Sequence, residues 1–153
     1  MDAKEKINTI LCDALSDCAN LVGGNSFLLR KIHSKLPTEA VHMNIENGDF
    51  LLVSQLLNTI GNILQFDEEN QVCTAIIGSG FANMNPALVV AMMEDQTLYL
   101  AAYAKEGLIK QHTAEKALKN IVDSLQMLER NILFCILHIH LSIDIKGSVK
   151  LFL

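Results

Sequence analysis

Apolar residues recur every three or four positions at the start of the chain: Ile7, Ile10, Leu11, Ala14, Leu15, Cys18, Leu21 and Val22. This is one face of an amphipathic helix. Asp2 and Glu5 have capping-box spacing at its start, and Gly23-Gly24 stops it. A second, shorter helix is expected over "SFLLRKIHSKL", capped by Ser26, with Leu29, Ile32 and Leu36 on one face and Pro37 ending it. The period then changes. In "EAVHMNIE", Val41, Met43 and Ile45 alternate with Ala40, His42 and Asn44, which predicts a strand, and Asn47-Gly48 predicts a turn.

Helical spacing returns at Val53, Leu56, Leu57, Ile60, Ile63 and Leu64. A helix capped by Asp49 and carrying Gly61 in its interior is expected here, in preference to the return strand of a hairpin. "FDEENQ" reads as a polar loop and "VCTAIIG" as a buried strand. "ALVVAMM" and "TLYLAAYA" read as a hairpin around "EDQ", with a helix starting at Pro86 as the competitor. The next helix has Thr113 as its cap, a stripe of Ala114, Ala117, Leu118, Ile121, Val122, Leu125 and Leu128, and an expected end near Asn131. From Ile136 the pattern alternates again. Leu137, Ile139, Leu141, Ile143 and Ile145 oppose His138, His140, Ser142 and Asp144, which predicts a strand, a turn at Lys146-Gly147 and a last strand "SVKLFL".

Together these elements predict one α+β domain over residues 1–153: two layers, a mostly antiparallel sheet with helices on one face. A mostly helical bundle is the alternative. Half of the residues are apolar and 19% charged, as in a globular chain. The net charge of −5 and the lack of any Lys/Arg run exclude a nucleic-acid footprint. No apolar stretch follows Met1, and "ILFCILHIHL" is too short to span a bilayer. A cytoplasmic location without membrane contact is therefore the expectation. Cys12, Cys18, Cys73 and Cys135 show no metal or redox spacing and read as free thiols.

Three places carry candidate chemistry. On a strand, His138 and His140 point the same way and can share a divalent transition metal, with Asp144 as a third ligand or an orienting carboxylate and His42 or His112 as remote additions. The plainer reading, a solvated strand face, is preferred. Ser79, Asn83 and Asn85 lie in the Gly-rich loop after "VCTAIIG", which lacks the spacing of a dinucleotide fingerprint, a P-loop or a nucleophile elbow. With Lys105 and Lys110 before the Thr113 helix, they can form a site for a small anion. Finally, Leu151, Phe152 and Leu153 suggest an unguarded edge strand and hence a homodimer.

The expected function is a small, non-catalytic binding or regulatory module that self-associates. A metal-binding sensor or metal-dependent hydrolase at His138 and His140, and a small-anion-binding domain at the Gly78–Asn85 loop, are the alternatives.

Overall fold

A computed structural model of the chain describes residues 1–21, 34, 36, 39–79, 85–105 and 111–148. In chain order the elements are α1 (Ala3–Leu21), β1 (Val41–Glu46), α2 (Phe50–Ile60), β2 (Gly61–Asp67), β3 (Val72–Ser79), β4 (Asn85–Glu94), β5 (Thr97–Tyr103) and α3 (Thr113–Ser148). The five strands form one sheet in the order β1-β5-β4-β3-β2, with every neighbouring pair antiparallel. The α+β class with an antiparallel sheet is as the periodicity predicts, and the helical bundle is excluded. Most of the expected helix over 26–36 lies outside the described residues.

The helices do not all pack on one face. One face of the sheet, with Cys73, Ala75, Ile77, Val89, Ala91, Leu98 and Leu100, is covered by α2 and α3. The opposite face, with Val72, Leu88, Val90, Met92, Ala101 and Tyr103, is covered by Ile7, Leu11 and Ala14 of α1. The sheet is thus the middle of three layers, because β4 is apolar at every position from Ala87 to Met92 and must be buried on both sides. In β1, Val41, Met43 and Ile45 pack against the α2/α3 side, which matches the predicted alternation.

Two turns behave as their residues require. Asp95 and Gln96 have φ of 49° and 64°, the paired left-handed values of a two-residue hairpin turn that follows the twist of its strands. Asp49 caps α2 by accepting a hydrogen bond from the Leu52 N–H at 3.0 Å.

The helix expected to run through Leu64 instead ends at Ile60, and β2 begins at the next residue. Gly61 makes this possible. A Cβ there would stand 2.6 Å from the carbonyl oxygen of Ile76 on β3, so only glycine lets the chain turn straight from helix into ladder. The helical spacing beyond it is produced by a β-bulge. Ile63 pairs with Ala75 and Gln65 with Thr74, leaving Leu64 as an extra residue, so Ile63 and Phe66 share the α2 side although three residues apart.

The second correction concerns the C-terminal part. Residues 136–145 are not a strand, Asn131 ends nothing, and Lys146-Gly147 is not a turn: all belong to α3, which runs to Ser148. No Gly or Pro occurs between Thr113 and Lys146, and extending an established helix fixes only one more residue at a time. The alternation of "LHIHLSIDI" signals a strand only where a sheet edge receives it. Residues 149–153, most of the expected last strand, lie outside the described residues.

Two substitutions test this account. Gly61→Ala is expected to lower stability by about 1–3 kcal/mol through the forced shift of β2 from β3. Gln96→Gly is expected to raise it by up to about 1 kcal/mol by removing a side chain from a left-handed position. Urea denaturation of both variants reads the two signs directly.

Candidate functional site

Of the residues singled out by sequence, some lie at strand ends, some on α3 and some outside the described residues. Ser79 closes β3 and Asn85 opens β4, and the two are paired across the ladder. Lys105 follows β5 and is exposed. Asn83 and Lys110 lie outside the described residues. His138, His140 and Asp144 belong to α3. The side-by-side pairing of His138 and His140 was expected of a strand, and this segment is helix. Among the described residues, no three His, Cys, Asp or Glu gather closely enough to hold a metal ion.

Two other places have a defined geometry. The first is a cleft of about 260 Å³ between the start of α1 and strands β1 and β5, lined by Lys4, Ile7, His42, Met43, Asn44, Tyr99 and Leu100. His42 donates from Nε2 to Oδ1 of Asn8 at 2.8 Å, which ties β1 to α1. Burial, and after it the nearby Lys4 ammonium, push the His42 imidazole below its ordinary value against the pull of a hydrogen bond with the Ala40 backbone. Lys6 and Glu94 form an ion pair that joins α1 to the end of β4, and this hydrogen bond raises the Lys6 pKa.

Among the described residues three thiols can be assessed. Cys12, Cys18 and Cys73 are free, and burial pushes each above the usual thiol range, away from the reactive thiolate.

The second place is the outer side of α2 and β2. Among the described residues β2 is the last strand of the sheet, next to β3. Phe50 and Phe66 stack with ring centroids 5.9 Å apart and planes 12° from parallel, holding the start of α2 over the end of β2. Leu51 is 54% exposed, Leu64 41% and Phe66 47%, and Ile60 at the end of α2 is exposed as well. From Phe50 to Phe66 the sequence contains no charged residue and no His. Edge strands are commonly guarded by charge, and this one is bare up to Asp67.

α3 adds a further apolar exposure. After Leu128 the residues Glu129–Phe134 are all exposed, Ile132, Leu133 and Phe134 among them.

The sequence reading missed the α2–β2 edge because the bulge imitates helical spacing. The available signal was the uncharged run itself, bounded by Asp49 and Asp67.

The His42 shift has a direct consequence. With a folded pKa below that of the unfolded chain, the unfolded state binds the proton more readily. His42 therefore costs nothing above its ordinary pKa of about 6.5 and removes stability as the pH falls through that value toward its lower folded pKa. Stability measured by denaturant between neutral and mildly acid pH should fall more in the wild type than in His42→Gln, whose amide keeps a donor for Asn8.

Comparison with protein-family models, with curated proteins and with solved structures finds no match to this chain.

Proposed function

We infer that the chain is a small binding or regulatory module without catalysis, acting as a homo-oligomer through protein contacts. The observation that carries this reading is the α2–β2 side, where Leu51, Ile60, Leu64 and Phe66 are exposed within a stretch free of charge. Single exposed apolar residues are ordinary, whereas a group of them on an uncharged sheet edge is a contact surface. The exposed Ile132, Leu133 and Phe134 of α3 agree with a working role in contact rather than chemistry.

The cleft at His42 is a weaker basis for catalysis. Its imidazole is bonded to a neutral amide and not to a nucleophile or an orienting carboxylate, as a hydrolytic arrangement needs.

Light scattering after size exclusion tests the reading. The expected mass at micromolar concentration is a multiple of the 16.9 kDa chain. The single-chain mass throughout that range overturns it.

A further inference from the structure

We propose that the occupant of the β2 edge is β2 of a second copy, paired antiparallel about a twofold axis so that two sheets continue into one of ten strands. This rests on the self-association inferred above and adds its geometry.

Charge selects both the edge and the partner. Each copy carries a net charge of −5, so two copies repel wherever their charged surfaces meet. In a twofold contact each residue near the axis also faces its own equivalent, and like charges directly opposite are destabilising. An uncharged patch escapes both penalties. Residues 61–66 of β2 satisfy this, and α2 lying over them is likewise uncharged from Phe50 to Ile60.

The other edge does not. β1 carries His42 and Glu46, is followed by Asp49, and has the Lys4 end of α1 against it. A different protein as partner would be recognised through complementary charge, which steers encounter and sets specificity. The β2 edge has none to offer, while symmetry makes a neutral apolar patch its own complement. The outer N–H and C=O groups of β2, unpaired among the described residues, then gain partners, and Leu64 and Phe66 leave water.

Spin labels read the arrangement. Gln65 on β2 and Glu46 on β1 are both exposed and lie on opposite edges of the sheet. Gln65→Cys and Glu46→Cys are labelled separately in a chain with Cys12, Cys18 and Cys135 replaced by Ser, and Cys73 is left in place because it is buried. In the proposed dimer the β2 backbones are about 5 Å apart and the β1 backbones about 40 Å apart, nine strand spacings. The Gln65 label is expected to show strong dipolar broadening, and the Glu46 label a long distance by double electron–electron resonance. A dimer with the short distance at Glu46, or with no short distance at either site, overturns the β2 pairing and leaves self-association standing. A single-chain mass for both labelled proteins, matching the unlabelled wild type, overturns the two together. As a second reading, Leu64→Lys is expected to shift the mass to one chain with unchanged circular dichroism, whereas Glu46→Lys is expected to leave the dimer intact. A Leu64→Lys chain that stays folded and dimeric also overturns the pairing.

Discussion

Everything in this structure depends on a sheet whose three central strands are buried on both faces. β4 lies between β3 and β5 and has no polar residue from Ala87 to Met93, so neither of its faces can meet water. One helix layer cannot satisfy such a strand. α1 closes one side with Ile7 and Leu11, and α2 and α3 close the other with Val53, Leu57, Leu118 and Ile121. At roughly 25 cal/mol per Å² of apolar area removed from water, this double burial is the main favourable contribution to folding. Small residues make it geometrically possible. Ala75, Ala87, Ala91 and Ala102 of the sheet share one core with Ala114 and Ala117 of α3, and small residues allow helix and sheet to approach closely.

Burial of the centre displaces all interaction capacity to the periphery. The two edge strands differ in how they are protected. β1 is held against α1 through His42 and Asn8 and carries charge, so its exposed backbone lies in a polar setting. β2 carries a bulge, and its exposed side chains are Asn62, Leu64, Gln65 and Phe66. The contrast between a charged edge and a neutral one is what the proposed association rests on.

No helix among the described residues is long and apolar enough to cross a bilayer. The exposed part of α3 also lacks the Lys/Arg-rich face of a helix that lies in a lipid interface, since Arg130 is its only basic residue from Glu129 to Phe134.

Elements whose signal is local could be read from the residues alone. The α1 stripe, the β1 alternation, the hairpin of β4 and β5 and the first half of α3 were legible because periodicity, capping residues and turns act over a few positions. The continuous apolar run of β3 read as a buried strand, but the expectation of helices on one face alone left the α1 layer unforeseen. Tertiary structure decided the rest. The contact of Gly61 with β3 ends α2 and the bulge at Leu64 rotates Phe66 onto Phe50, two effects of a neighbouring strand that no local pattern contains. The path of "LHIHLSIDI" was decided in the same way, since an alternating segment becomes a strand only if a ladder receives it and otherwise continues the helix it is attached to. The paired-histidine site depended on that choice. The neutral β2 edge was written in the composition of residues 50–66, but its meaning depends on β2 being the outermost strand, which is a property of the assembled sheet alone.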